Sequence, residues 1–106
     1  MINERSVDRD DIENGVVRVL QSLVEDWDLD LAAPIGPTTR IIEDLGFESI
    51  DLVQLVVSIE EQFGVRGLPY EEVLMQDGAY VTEIVVSDLI DFLQIQIPRH
   101  RQSAAE

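Results

Sequence analysis

Apolar residues recur at spacings of three and four from residue 49 to residue 63, and Gly64 follows them. Leu52, Leu55, Val56, Ile59 and Phe63 form one stripe of a helix, and glycine just past the last periodic residue is a natural stop. Ile50, Val53 and Val57 form an adjacent strip at the same spacing. Two apolar strips exceed what one side of a small core needs, so the second is either buried or turned toward a partner. The run leading into this helix is Asp44-Leu45-Gly46-Phe47-Glu48-Ser49. It puts a single serine where loop becomes helix, with the positive end of the helix dipole beside its hydroxyl. A hydroxyl there either caps the helix or, left exposed, suits esterification to a phosphate.

The rest of the chain reads as further helices around that one. Over about residues 8–27, Ile12, Val16, Val19, Leu20, Leu23, Val24 and Trp27 repeat at helical spacing, which predicts an amphipathic helix. Asp8, Asp10 and Asp11 crowd its first turns, where the dipole favours negative charge. Gly15 lies inside it and weakens it by roughly 1 kcal/mol relative to alanine. Residues 28–43 hold Pro34, Gly36 and Pro37 and form a long connection. Its apolar residues are Leu29, Leu31, Ile35, Ile41 and Ile42, which the family resemblance given below implies would help close the core. A short helix is expected near Pro69, a favourable first helical residue. A turn follows at Gln76-Asp77-Gly78, with a short extended piece within 79–85. A last helix is expected over about residues 86–95, capped by Ser87 or Thr82 and ended by Pro98. Residues 1–7 and 98–106 are expected to be disordered, which leaves one domain over 8–97.

Charge narrows the partners. The 106 residues carry 22 acidic and seven basic side chains, all seven arginine, for a net charge of −15. Nucleic acid and anionic membranes would be repelled by such a surface. Basic protein partners would be steered toward it. Residues 41–65 contain six acids and no base, more clustering than solubility alone requires. With no cysteine there is no disulfide, thiolate metal site or cysteine nucleophile. No apolar run reaches the roughly 20 residues of a membrane span, and the first residues lack a secretory apolar stretch. A cytoplasmic protein is the expectation.

Catalysis finds little support. The single histidine, His100, lies beyond Pro98, and Ser49 lacks the Gly-x-Ser-x-Gly setting of a nucleophile elbow. Asp26, Asp28 and Asp30 alternate like early calcium ligands, but Ala32 follows and Pro37 stands where the closing glutamate belongs. An EF-hand is therefore rejected, and no metal site is expected.

The chain resembles the acyl carrier protein family over roughly residues 8–93, most strongly over 44–65. Asp44-Leu45-Gly46 is similar to that family's Asp-Leu-Gly entry, and Glu48-Ser49-Ile50-Asp51 stands where Asp-Ser-Leu-Asp is usual. Leu52-Val53-Gln54-Leu55, the acidic end of the helix at Glu60-Glu61, and Val86-Ser87-Asp88-Leu89 match in turn. Glu48 keeps the charge of the usual aspartate on a longer arm. Ile50 is stiffer than the usual leucine. Gln54 replaces a frequent glutamate, and residues 66–84 are longer than the usual third-helix region. The resemblance implies an all-α fold: a small four-helix bundle with a long loop between helices one and two and a short third helix. It implies a monomeric, non-catalytic carrier with 4′-phosphopantetheine on Ser49, donated by coenzyme A through a phosphopantetheinyl transferase using Mg²⁺. Acyl intermediates of fatty acid, polyketide or related biosynthesis would ride on that arm as thioesters. Asp44, Glu48, Asp51, Glu60 and Glu61 would dock basic residues of successive enzymes, with Ile50, Val53 and Val57 as the apolar centre. Val53, Val57 and Leu74 would line a gap that shelters the chain. A peptidyl or aminoacyl carrier, and an unmodified interaction module with the same fold, are the alternatives. The acid before the serine favours an acyl carrier over the first, and the serine itself favours a modified carrier over the second.

Overall fold

The apolar stripe read from residues 49–63 packs on the helix of residues 9–24, which also carries the last helix. The computed structural model describes residues 8–27, 29 and 34–104. Helix α1 spans Arg9–Val24 and buries Ile12, Val16, Val19 and Leu20. Helix α2 spans Ser49–Phe63 and buries Leu52, Leu55 and Ile59, with Val56 and Phe63 partly buried beside them. Each fully buried leucine or isoleucine contributes about 1.5–3 kcal/mol. Gly64 ends α2 at φ 66°, ψ 38°, a left-handed conformation that glycine adopts without a Cβ penalty.

A one-turn helix, α3, spans Glu71–Leu74 and runs directly into a tiny hairpin. Strands β1 (Met75–Gln76) and β2 (Ala79–Tyr80) pair antiparallel with Met75 opposite Tyr80. Asp77 and Gly78 turn the hairpin, both at positive φ, as a two-residue connection of this kind requires. The fold is thus the expected four-helix all-α bundle with a small hairpin added after helix three.

Helix α4 spans Val86–Ala104 and buries Val86, Leu89, Ile90, Leu93 and Ile97. Pro98 lies inside it. The expectation that Pro98 ends the helix and opens a disordered tail is therefore corrected: residues 98–104 are helical. Proline removes one ladder hydrogen bond and costs about 3 kcal/mol inside a helix, but Ile97 is fully buried immediately before it and anchors that turn. The disorder expected of residues 1–7, 105 and 106 concerns positions outside the described residues.

The long connection is tied to the start of α4. Ile41 N–H donates to Ile84 O at 2.9 Å, and Arg40 bridges Val85. Val86 N–H donates to Thr39 O and Ser87 N–H to Pro37 O, at 3.0 and 2.9 Å. Loop carbonyls, in place of the expected Ser87 or Thr82 side chain, thus satisfy the first amide groups of α4. Ile41 is fully buried, and Ile35 packs against the core. Leu29 does not close the core as expected: it is 37% exposed. Leu31, Asp28 and Asp30 lie outside the described residues.

Candidate functional site

The approach to α2 is fixed from both sides of Ser49. Gly46 sits at φ 78° and its N–H donates to Ile42 O at 3.0 Å. Phe47 is buried and lies against Trp27, with ring centroids 5.1 Å apart. That aromatic pair pins the loop one residue before the acid and two before the serine. Glu48 is extended, at φ −106° and ψ 178°, and occupies the N-cap position. Its N–H donates to Asp51 Oδ2 at 2.8 Å, while Asp51 N–H donates back to Glu48 O at 2.9 Å. The reciprocal arrangement follows capping-box logic, with the reach-back coming from an aspartate.

Ser49 is consequently the first helical residue and not the cap. Its side chain is exposed. The two readings of the serine separate here, because the capping work falls to Glu48 and Asp51 and leaves the hydroxyl open to solvent at the positive end of the dipole. An exposed hydroxyl at a helix N-terminus fits a phosphodiester linkage electrostatically and sterically.

The apolar strip beside it is exposed. Ile50 is 73%, Val53 51% and Val57 43% accessible, on a helix that buries Leu52, Leu55 and Ile59 on its other side. Single exposed apolar residues are ordinary, but three in one strip form a contact surface. The acids predicted to dock partners differ in how free they are. Glu48 and Glu61 are exposed. Asp44 is exposed, accepts the Arg40 N–H at 2.9 Å and pairs with the Arg40 guanidinium at 3.2 Å. The Arg40 backbone N–H, above all, holds the Asp44 carboxyl below its usual value; partial desolvation opposes this, and the Arg40 side chain adds to it. Asp51 is half-buried in the cap. Glu60 is half-buried and accepts the Gly67 N–H at 2.9 Å, so it also holds the turn after α2.

A cleft of about 210 Å³ opens between α2 and the α3–hairpin segment, lined by Leu52, Val53, Val56, Tyr70, Leu74 and Met75, with Glu71 and Tyr80 also on its wall. Of the three residues expected to line a gap, Val53 and Leu74 do so. Val57 does not, and faces a separate hollow with Glu60, Glu61, Arg66 and His100. The hollow exists because α4 continues past Pro98 and brings His100 beside the acidic end of α2.

Three features escaped the sequence reading. Glu83 accepts the N–H groups of Ile42 and Glu43, each at 2.9 Å, and so clamps the loop that leads to Ser49. Tyr80 lines the cleft from a hairpin whose two-residue strands are too short to show alternation. Tyr70 is buried against Phe92, with ring centroids 5.5 Å apart, and its Oη has no hydrogen-bond partner. Burial, reinforced by the negative charge of Glu60, pushes its phenol well above the usual tyrosine value. The extra length of residues 66–84 was the available signal for the last two.

Comparison with known proteins decides the family. A family profile described as the phosphopantetheine attachment site matches residues 18–69, a span that contains the cap, Ser49 and the exposed strip. An acyl carrier protein of Solidesulfovibrio magneticus is 31% identical over 77 residues, covering 73% of this chain and 87% of its own length. The chain belongs to the acyl carrier protein family. An acyl carrier protein of Helicobacter pylori is 42% identical over 41 residues, 39% of this chain and 51% of that protein. No solved structure matches significantly. Acyl carrier proteins are non-catalytic carriers that hold acyl chains on a phosphopantetheine group and work with biosynthetic enzymes. Among the described residues no cluster of metal-binding side chains occurs, and no helix is long and apolar enough to cross a membrane.

Proposed function

We propose that Ser49 is the attachment point of 4′-phosphopantetheine and that the chain carries acyl intermediates of fatty acid or polyketide biosynthesis as thioesters. The observation that carries this reading is the exposed hydroxyl at the first residue of α2, left out of a cap made by Glu48 and Asp51. When bound, the group supplies a mobile thiol for thioester formation. The chain's own part is to present and steer. A phosphopantetheinyl transferase with Mg²⁺ brings coenzyme A to Ser49. The Ser49 Oγ–phosphorus bond forms, the pyrophosphate bond of coenzyme A breaks with adenosine 3′,5′-bisphosphate as the leaving group, and the serine proton passes to a base of the transferase. No base beside Ser49 is needed, and none of the family's catalysis falls to this chain.

Asp44, Glu48, Asp51, Glu60 and Glu61 give partners with basic docking surfaces an acidic target around Ile50, Val53 and Val57. Rim charges of this kind set association rate and salt sensitivity more than final affinity. Gln54 lowers the charge of that rim by one relative to the family's frequent glutamate. We place the work in the cytoplasm and the carrier as a monomer.

The test is intact-protein mass spectrometry after incubation with coenzyme A, Mg²⁺ and a broad-specificity transferase. The expected result is a gain of one phosphopantetheine, mapped to Ser49 and absent in Ser49→Ala. No gain with that enzyme, and none in protein isolated from its native host, would instead favour an unmodified interaction module that borrows the fold.

A further inference from the structure

The turn that leads to Ser49 is held by a carboxylate from a distant part of the chain. Residues 41–45 form a turn in which Asp44 N–H donates to Arg40 O and Gly46 N–H to Ile42 O, at 2.9 and 3.0 Å. The amides of Ile42 and Glu43 stand at its start and have no carbonyl within it to bond, as at the start of a helix. Glu83 supplies both acceptors: Oε2 takes the Ile42 N–H and Oε1 the Glu43 N–H, each at 2.9 Å. Oε2 also accepts the N–H of Ile84 at 2.9 Å. Glu83 is half-buried, and among the described residues no arginine pairs with it. Its partners are backbone amides. Two divergent donors need two acceptor oxygens, which a carboxylate has and a glutamine side chain lacks. Bonds to a charged acceptor are also roughly twice as strong as neutral ones.

Between that turn and the serine little can absorb a shift. Leu45 and Phe47 are buried, Gly46 sits in the left-handed region at φ 78°, and Glu48 and Asp51 close the cap of α2. A displacement at Ile42 and Glu43 is therefore passed along Asp44-Leu45-Gly46-Phe47-Glu48 to the Ser49 hydroxyl. Glu83 itself is fixed, since the start of α4 beside it is bonded to the same loop through Ile84, Val86 and Ser87. The exposed strip of Ile50, Val53 and Val57 lies on α2, which packs on α1. Serine placement and partner docking are thus carried by different parts of the molecule.

We propose that Glu83 is a positioning residue for phosphopantetheine transfer: it sets where the Ser49 hydroxyl stands without touching the transferase or coenzyme A. This inference rests on Ser49 being the attachment point. Misplacement of a reacting group by about 1 Å can cost a hundredfold in rate, so a tie at the base of the loop acts on the reaction as well as on the fold.

The experiment follows single-turnover loading of the full chain with coenzyme A, Mg²⁺ and a broad-specificity transferase in excess, for wild type, Glu83→Gln and Glu83→Ala. It reads the maximal transfer rate and the transferase concentration that gives half of it, so product release does not enter. Carrier that docks normally but presents the serine wrongly is bound unproductively, which lowers the maximal rate and leaves the half-saturating concentration unchanged. Unfolded carrier only withdraws substrate, which raises the half-saturating concentration and leaves the maximal rate unchanged. The expected result for Glu83→Ala is a maximal rate roughly tenfold lower at an unchanged half-saturating concentration, as for loss of charge-assisted bonds that hold the competent conformation. Glu83→Gln keeps one acceptor and should lose roughly threefold; it carries the test alone if Glu83→Ala does not fold. A wild-type maximal rate in the folded variants would overturn the inference and leave the carrier reading intact. So would a change confined to the half-saturating concentration, which is the mark of a docking charge or of simple instability. Failure of the wild-type chain to load at Ser49 would overturn both.

Discussion

Gly15 of α1 lies directly beneath the ring of Phe63, the last residue of α2. A Cβ on Gly15 would stand 2.5 Å from Phe63 Cζ and 2.9 Å from its Cε1. The glycine that weakens α1 as an isolated helix is what allows α1 and α2 to approach at this point. Gly15→Ala should therefore destabilise the protein, although helix propensity alone favours alanine by about 1 kcal/mol. Overpacking of this kind costs about 1–3 kcal/mol, for a net loss of roughly 1 kcal/mol by urea unfolding. Adding Phe63→Leu should recover part of it through coupling between the two sites. A Gly15→Ala protein more stable than wild type would show that the ring simply swings away.

The division of labour at the start of α2 predicts two different outcomes at neighbouring positions. Ser49→Ala should shift stability by less than about 0.5 kcal/mol, since an exposed first helical residue outside the cap contributes little. Asp51→Ala removes the acceptor of the Glu48 N–H and should cost about 1 kcal/mol. Chemical denaturation of both variants tests this directly. The reverse order of effects would mean that the serine caps the helix after all.

Much of this fold was legible in the sequence because local rules and tertiary packing agree along α2. Its apolar period, the serine at its start and Gly64 at its end all say the same thing, and the element spans Ser49–Phe63. Elsewhere a local rule met a contact it could not foresee. Pro98 reads as a stop, yet α4 passes through it behind a buried Ile97. Gly15 reads as a helix weakener, yet its role is set by Phe63, distant in the chain. Ser87 and Thr82 read as caps, yet the amides they would have served are taken by the carbonyls of Pro37 and Thr39. The acidic docking residues were legible as a charge cluster. That Glu60 spends one oxygen on Gly67 was not, because the bond depends on how the turn after α2 folds back.

Glu83 is the residue on which the loop before Ser49 depends. Two of its neighbours across the chain, the N–H groups of Ile42 and Glu43, have its carboxylate as acceptor. Glu83→Ala leaves those donors to water or unpaired and should cost about 1–3 kcal/mol. Amide hydrogen exchange should accelerate at Ile42 and Glu43 well before it does in the middle of α2. Equal acceleration everywhere would mean that Glu83 contributes only to global stability.

Asp44 should titrate below an ordinary aspartate. Its carboxylate accepts the Arg40 N–H and pairs with the Arg40 side chain, and the folded protein therefore favours its charged form. With the folded value below the unfolded one, its contribution is fully present above the unfolded value. That contribution is lost as pH falls through the folded value. Carboxyl carbon-13 shifts followed by NMR from neutral to acid pH measure this. Arg40→Ala should move the Asp44 midpoint only partway back, since the backbone amide, the larger cause, remains. An Asp44 midpoint at or above the ordinary aspartate value would refute the assignment.

The end of α4 separates what the core needs from what the helix merely continues. Ile97 is fully buried, so Ile97→Ala should cost about 2–5 kcal/mol, the loss expected when a core aliphatic side chain leaves a cavity. Pro98 has the opposite character. It interrupts the ladder of a helix that persists around it, so Pro98→Ala restores an amide donor and removes a steric clash with the preceding turn. That substitution should raise stability and increase helical circular dichroism. It should also slow exchange at His100, whose side chain lines the hollow beside Glu60 and Glu61. If Ile97→Ala proved neutral while Pro98→Ala destabilised, the last turns of α4 would not be packed on the core at all, and the hollow at the acidic end of α2 would have no fourth wall.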